Sequence, residues 1–566
     1  MQEDFIPLKS IGLCFSGGGY RATFFSLGAV SYLHKIQFKD KPLINNVEAI
    51  STVSGGTLFG VAYAKAAQEE DFNFKAFFQK FYNSFEPAKD KLLATAIAKL
   101  NDDAIWKESH KKRSLINAFA LTYADMDIYK GNFELFDTPT SPSLKNVCFN
   151  ATDFSFGLVF RFQNEGKFGN NPLGRAEVAK IKNDIPLADI VASSSCFPLG
   201  FEPLVFPDDY IENQNTTEYK AVKELDLFKN GVGIMDGGIA DNQGIGSMMR
   251  ISERRRDERK EINTDGKRKR ELDLIIVSDV ASYKMTPWKP ESKAIYESDN
   301  IKTKASNILS YFGVKPLYWI LVLLGMMMMM ISFFEIIKGQ SWSALYMIGG
   351  TIAGIGIMLT IIGVIAGRIK GFALDWVTTM FRKNVPEPLV DEVLSFKKLS
   401  IDLVQRMLTE RISTTVVMVN DVFLKQIRRL NYKYLYFKKG TEYRSVTSTV
   451  YQLNGAKTVY GRTPFNKSIT KPSSSLQNIA LTASETPTTL WWDETDIEKG
   501  RMNTLIACGQ FTTCYTLMDY IIKLKKSDIE LSKEQIIELD TLYTALEADW
   551  TKFNQNPLFY TESLKG

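Results

Sequence analysis

Two uncharged stretches constrain this 566-residue chain more than any other feature. Residues 317–334 give eighteen consecutive positions without Asp, Glu, Lys or Arg, and residues 342–366 give twenty-five, in a chain that is 23% charged. As a helix, at about 1.5 Å per residue, the shorter stretch reaches roughly 27 Å, enough for a hydrocarbon core. Two such runs in succession predict a pair of transmembrane helices, and the short connector 335–341 makes them antiparallel neighbours. Lys302, Lys304 and Lys315 precede the pair, Arg368, Lys370, Arg382 and Lys383 follow it, and the connector's only basic residue is Lys338. That bias puts both outer ends on the cytoplasmic side. Gly349, Gly350, Gly354, Gly356 and Gly363 would permit close packing within the pair or between protomers of an oligomer. Neither stretch holds an ionisable residue at its centre, which argues against an ion or substrate pathway.

Outside the apolar pair the chain reads as a folded protein. The net charge of +5 is small for this length and makes no case for nucleic acid. Cys14, Cys148, Cys196, Cys508 and Cys514 lack CxxC spacing, which points to a reducing compartment, without a disulfide framework or thiolate zinc site. With only His34 and His110, a Ser-His-Asp triad would have to recruit one of them, and a histidine-rich metal centre is out of reach. We therefore expect no metal and no cofactor. The first residues carry two acids and no long apolar run before Gly17, unlike a secretory signal. Between residues 250 and 271 ten basic and six acidic positions mix, as on a solvated helix or loop.

Repeated strand, glycine turn and helix signals over residues 10–283 predict an α/β fold with a mostly parallel sheet flanked by helices. Residues 10–16 form a short β-like run ending at Gly17, Gly18, Gly19, Tyr20 and Arg21, and a buried helix face follows from about residue 22 to 36. Free N–H groups at such a helix mouth suit an anion, either a phosphate or the oxyanion of acyl transfer. The lysine and hydroxyl of a nucleotide P-loop are missing. A second β-capable run, residues 50–53, leads into Ser54, Gly55 and Gly56 and then another helix, the context that presents a serine hydroxyl as a nucleophile. The plainer alternative is a glycine-rich loop before a helix. Further on, Asp236, Gly237 and Gly238 place an acid on a glycine turn, where it either serves chemistry or caps its own turn. A carboxylate near Ser54 could take its proton during attack on an ester, while backbone donors at Gly17, Gly18 and Gly19 hold the developing charge.

Strand-like pieces at 146–149 and 158–162 flank a turn near Thr152 and Asp153, and residues 187–203 read as a helix stopped by Pro198. The aromatic segment 71–86 is either core helix or a lipid-facing rim. Helical spacing recurs at 389–412 and 502–522, and Ser532 with Gln535 forms a capping-box signature before a last helix.

Together these residues resemble the patatin-like phospholipase family. Its oxyanion motif corresponds to Gly17 through Arg21, its nucleophile elbow to Thr52, Val53, Ser54, Gly55 and Gly56, and its aspartate motif to Asp236, Gly237 and Gly238. Residues 150–153 and 192–198 match further landmarks in the expected order. The resemblance implies catalysis by Ser54 and Asp236, oxyanion binding by Gly17, Gly18 and Gly19, and support from Arg21, Gly55, Gly56, Gly237 and Gly238. Thr52 departs from the glycine common at that place. Arg21 would contact a lipid phosphate or pin the glycine loop through a carboxylate. Residues 486–490 and 505–509 resemble the closing part of many bacterial members, so we expect residues 1–300 as the catalytic region and 317–366 as the hairpin, inserted or appended. Residues 389–525 would complete the catalytic domain, or form a separate partner-binding domain, and 526–566 would be a terminal helix and tail. The implied protein is a two-pass bacterial inner-membrane enzyme with its catalytic region and both termini cytoplasmic. It would cleave carboxylic esters of membrane phospholipids or lysophospholipids through an acyl-enzyme. The alternatives are a lipid transacylase and a non-catalytic membrane scaffold or defence effector.

Overall fold

The computed structural model describes residues 5–170, 176–198, 200–258, 271–281, 315–338, 342–384, 410–411, 413–415, 417–437, 443–456 and 465–566. Residues 259–270 of the charged stretch, residues 389–409 of the helical spacing beyond the hairpin, and Lys302 and Lys304 lie outside the described residues. The chain divides into two compact units, Met1–Met285 with Asp421–Gly566, and Thr286–Asn420.

The first unit is organised on one eight-stranded sheet. Its strands are β1 (Ile11–Phe15), β2 (Val47–Val53), β3 (Asn146–Asp153), β4 (Leu158–Gln163), β5 (Leu204–Phe206), β6 (Val232–Asp236), β7 (Leu274–Asp279) and β8 (Ser445–Thr449). The order is β8-β7-β1-β2-β3-β6-β5, with β4 also paired to β3. From β8 to β3 every pairing is parallel, and β1 and β7 are buried at every residue, the near-continuous apolar run of a strand covered on both faces. Beyond β3 the expected parallel sheet gives way, since β4, β6 and β5 all pair antiparallel. The turn expected near Thr152 and Asp153 also falls later, because β3 runs on through both residues while it pairs with β6.

This extra length positions the site. Cys148, Phe149 and Asn150 pair with β2, whereas Ala151, Thr152 and Asp153 pair with β6, and all six pair with β4. A strand has two edges, so β2 and β6 share the edge opposite β4. They run toward each other along it. Val53 ends β2 opposite Asn150, and Asp236 ends β6 opposite Ala151.

Helices cover the sheet: α1 (Gly19–Lys35), α2 (Gly55–Ala66), α3 (Phe74–Ser84), α4 (Leu187–Ser194) and α5 (Ile245–Glu258). The aromatic segment is core, because α3 turns Phe77, Phe78, Phe81 and Tyr82 inward. The second unit contains α6 (Pro316–Ile337) and α7 (Ser343–Asn384). Their apolar parts, 22 and 23 residues long with mean hydropathy 2.4 and 2.2, are long and apolar enough to cross a membrane. Leu323, Met330 and Met347 are among the large apolar side chains they expose. The two helices meet antiparallel at glycines. A β-carbon on Gly325 would lie 2.5 Å from Ala353 N, and one on Gly356 would lie 2.8 Å from Val322 N. Gly349 joins that seam, while Gly354 faces open space.

The chain then returns to the first unit as α8 (Leu424–Phe437), β8, α9 (Ser474–Ser484), α10 (Arg501–Lys525) and α11 (Lys533–Gln555), the last opened by the Ser532–Gln535 capping box. Here α10 crosses α1 at two glycines. A β-carbon on Gly28 would stand 2.0 Å from the Ile506 carbonyl oxygen, and one on Gly509 would stand 2.1 Å from that of Phe25. Backbone cannot retreat as a flexible side chain does, so bulk at either place must separate the helices. G509V should cost about 1–3 kcal/mol or more, the usual range for overpacking. The check is a lower thermal midpoint than wild type, with an exposed control such as I537V unchanged.

Candidate active site

At the end of β2 the chain turns into α2 on Ser54, with φ of 50° and ψ of −121°. Few L-residues adopt this backbone, and it costs about 1–3 kcal/mol where it occurs. The neighbouring glycines make the turn possible. A β-carbon on Gly55 would sit 2.0 Å from the Gly19 carbonyl oxygen, and one on Gly56 would sit 2.6 Å from that of Phe15.

Across the gap where β2 and β6 meet, Ser54 Oγ donates to Asp236 Oδ2 at 2.7 Å. The other carboxylate oxygen of Asp236 accepts the Gly238 N–H at 2.6 Å. Gly237 passes so close to β3 that a β-carbon there would meet the Asn150 carbonyl oxygen at 2.4 Å. Asp236 is only 3% exposed. Loss of water raises its carboxyl from the ordinary 3.8 to about 6, against the opposing pull of the hydrogen bonds from Ser54 and Gly238.

The glycine loop lies against the same turn. Gly18 and Gly19 have φ of 139° and 51°, and a β-carbon on Gly19 would clash with the carbonyl oxygens of Thr488 and Thr489, each at 2.3 Å. The Tyr20 N–H donates to the Thr489 carbonyl at 2.8 Å, so residues far along the chain clamp the loop. The Gly17 N–H donates to the Asn242 carbonyl at 2.8 Å. By contrast, the N–H groups of Gly18, Gly19 and Gly55 have no acceptor among the described residues. Arg21 Nη1 donates to the carbonyls of Thr486 at 3.0 Å and Ser484 at 3.4 Å, where α9 ends. Burial lowers this guanidinium to about 10, with Asp279 opposing through space. Asp279 Oδ2 accepts from Arg428 and Tyr432, and its Oδ1 accepts the Ala281 N–H at 2.9 Å.

Neither histidine is bonded to this pair. His34 stacks on Phe74 and bonds Tyr63, and burial lowers its imidazole to about 3. His110 is also lowered by burial. Among the described residues no group of three His, Cys, Asp or Glu is placed to hold a metal ion, and the five cysteines are free and buried.

Sequence patterns did not assign roles to the residues that hold the elbow. The Ser54 N–H donates to Ser194 Oγ at 2.9 Å, and Ser194 donates to the Asn150 carbonyl at 2.6 Å. Thr57 Oγ1 lies 2.8 Å from both Ser194 Oγ and Thr52 Oγ1. Each hydroxyl has one proton, so donation runs from Thr52 to Thr57 to Ser194 to the backbone of β3. Thr52 thus has a hydroxyl partner, and its methyl occupies space that Gly60 leaves. A β-carbon on Gly60 would be 2.5 Å from Thr52 Cγ2.

That contact predicts a change of sign. G60A alone should destabilise the protein, although alanine in a helix is worth about 1 kcal/mol more than glycine. T52S removes the methyl and keeps the hydroxyl, so in its presence G60A should become neutral or stabilising. A double-mutant cycle in denaturant should give a coupling of about 1 kcal/mol or more, and additive effects would contradict it.

Residues 13–249 match the family model of the patatin-like phospholipases, whereas no curated protein matches the chain. The matched stretch begins within β1 and ends within α5, so it contains the glycine loop, Ser54 and Asp236 but not the Thr488–Thr489 clamp. Residues 13–249 of this chain form a patatin-like phospholipase domain, whose family supports lipid hydrolysis as its general activity.

Proposed function

We propose that the chain is a membrane-anchored acyl hydrolase that cleaves phospholipid or lysophospholipid esters with Ser54 as nucleophile and Asp236 as general base. The observation that carries this reading is the 2.7 Å hydrogen bond from a strained serine to a buried carboxylate. As Ser54 Oγ bonds to the acyl carbon, its proton passes to Asp236 and the carbonyl π pair moves onto oxygen. The N–H groups of Gly18 and Gly19 hold that negative oxygen, with Gly17 allowing close approach. Collapse breaks the bond to the leaving alcohol, which takes the proton from Asp236. Water then attacks the acyl-enzyme, giving its proton to the same carboxylate, and the serine is restored. Arg21 keeps the glycine loop in place through the end of α9.

Support for anchoring comes from the two apolar helices and the basic residues at their outer ends. They would hold the first unit at the cytoplasmic leaflet of a bacterial inner membrane, raising the residence of the enzyme at its substrate surface.

The test uses full-length protein in phospholipid or lysophospholipid vesicles, with released fatty acid as the readout. S54A and D236N should each lower the rate by about 10⁴-fold or more, and activity unchanged in either rejects the pair. The pH profile is a second check. Asp236 must be ionised to accept a proton, so kcat/KM should rise with pH around a midpoint of about 6, where an ordinary aspartate would give about 4.

A further inference from the structure

The first helix of the returning chain, α8, lies outside the stretch that matches the family model, and one of its faces grips the supports of the glycine loop. Arg428 Nε and the Tyr432 hydroxyl donate to Asp279 Oδ2 at 2.8 and 2.7 Å, and Asn431 Nδ2 donates to Asp241 Oδ1 at 2.8 Å. Both acids are buried, and each is one residue from a bond that fixes the start of the loop. On either side of Asp279, the Ser278 carbonyl takes the Ser16 N–H and the Val280 N–H donates to Ser16 Oγ, both at 3.0 Å. Next to Asp241, the Asn242 carbonyl takes the Gly17 N–H. Residues 428, 431, 432 and the buried Leu435 are three or four apart, so they share one side of the helix.

The other sides of α8 are turned outward, apolar on one stripe and basic on the next. Leu430 and Phe437 are 56% and 80% exposed, and the exposed ring of Tyr434 lies between them, its hydroxyl bonded to Glu253. Phe423, one residue before the helix, is exposed too. Spacings of seven, four and three put these four on one side. Lys425, Arg429 and Lys433 recur every fourth residue beside them. An aromatic, apolar stripe edged by cations suits an anionic bilayer surface, where the rings enter the headgroup boundary and the cations meet lipid phosphates. A protein partner is a poorer match. Lysine is depleted in protein interfaces, and one stripe on a short helix falls far short of the roughly 800 Å² per partner that a stable one buries. The bilayer is also at hand in the chain, since α8 begins at Leu424 and the unit with the two apolar helices ends at Asn420.

We infer that α8 is a lipid-binding element, whose outer face takes an anionic bilayer surface and whose inner face passes that contact to the glycine loop through Asp279 and Asp241. The lipid contact stands by itself, whereas its effect on turnover rests on the Ser–Asp reading above. Arg428 and Asn431 are positioning residues in this scheme, acting on Ser16 and Gly17 through the two acids.

The test uses full-length protein in bilayer discs of phosphatidylcholine, with or without phosphatidylglycerol. The five cysteines are buried, so an F437C variant takes an environment-sensitive thiol dye at that place. With phosphatidylglycerol the dye should shift to the blue and be quenched by lipids brominated near the headgroup. A dye that stays water-like overturns the lipid contact, and so does a blue shift without lipid quenching, which marks a protein cover. Turnover is read on water-soluble p-nitrophenyl butyrate at pH 8, above the acid limb of Asp236, which removes access to lipid substrate from the comparison. Phosphatidylglycerol should raise kcat about fivefold or more, the worth of one basic side chain near an anionic surface, with KM within about threefold. R429Q/K433Q should lose most of that gain. R428Q should keep the lipid quenching and lose the gain, and R428K should recover part of it. Should R428Q fail to fold, N431A asks the same question through Asp241. No gain in wild type, or a gain that survives these substitutions, overturns the coupling. An S54A variant as active as wild type would instead remove the Ser–Asp reading and leave the dye result standing.

Discussion

Two strands that approach head-on along one edge of β3 create the site. Parallel β2 brings Ser54 from one side and antiparallel β6 brings Asp236 from the other, with their last residues opposite the adjacent positions Asn150 and Ala151. One residue of strand rises about 3.3 Å, so the separation of the two ends is fixed by backbone pairing before any side chain is placed. The 2.7 Å contact is then a consequence of register. A slip of one residue in either strand would turn the side chains to the other face and abolish it. This is also why the sheet changes character at β3, since a parallel strand in place of β6 would carry its last residue away from Ser54.

Holding three turns at one place requires backbones to approach closer than side chains allow. Gly17, Gly55, Gly56 and Gly237 each lack a β-carbon where another backbone or the Asn242 side chain already stands. The same device closes the other end of the chain onto the site. Gly28 and Gly509 let α10 seat against α1, and the carbonyls of Thr488 and Thr489 then fall beside Gly19. The segment after the apolar helices is thus structural support for the glycine loop, and β8 pairs with β7 to extend the same sheet.

What could be read from sequence was whatever depends on local spacing. Strand, glycine turn and helix around Gly17 and Ser54 are local patterns, as are the uncharged runs and the Ser532–Gln535 cap, and each recurs in the structure at nearly the expected residues. Contacts between distant residues were not legible in that way. Nothing near Ser194 announces that its hydroxyl accepts the Ser54 N–H across 140 positions. Arg21 suggested an anionic partner, yet it bonds two carbonyls at a helix end, which have no sequence signature. The antiparallel half of the sheet escaped for a related reason, since β5 has three residues and β6 five, too few for a periodicity to declare direction. Thr52 departs from the glycine common at the elbow, and the room for its methyl comes from Gly60, eight residues later, which no local pattern announces.

In the proposed mechanism the scarcity of histidine makes the environment of Asp236 decisive. A carboxylate with an ordinary value near 3.8 is almost fully ionised at neutral pH, but it holds a proton too weakly to draw one from a hydroxyl efficiently. Raising the value to about 6 strengthens proton affinity by about 3 kcal/mol while leaving most molecules ionised at pH 7. The fold bears the corresponding cost. Because the folded value exceeds the unfolded one, this group destabilises the folded state most fully above about pH 6, and the penalty fades as pH falls toward 4. The hydrogen bonds from Ser54 and Gly238 limit the shift, since both favour the charged form. Burial without them would push the carboxyl higher, whereas the same bonds without burial would lower it. In the proposed reaction Asp236 would work in the interval between those two limits, and its burial at the end of β6 opposes the hydrogen bonds that hold it charged.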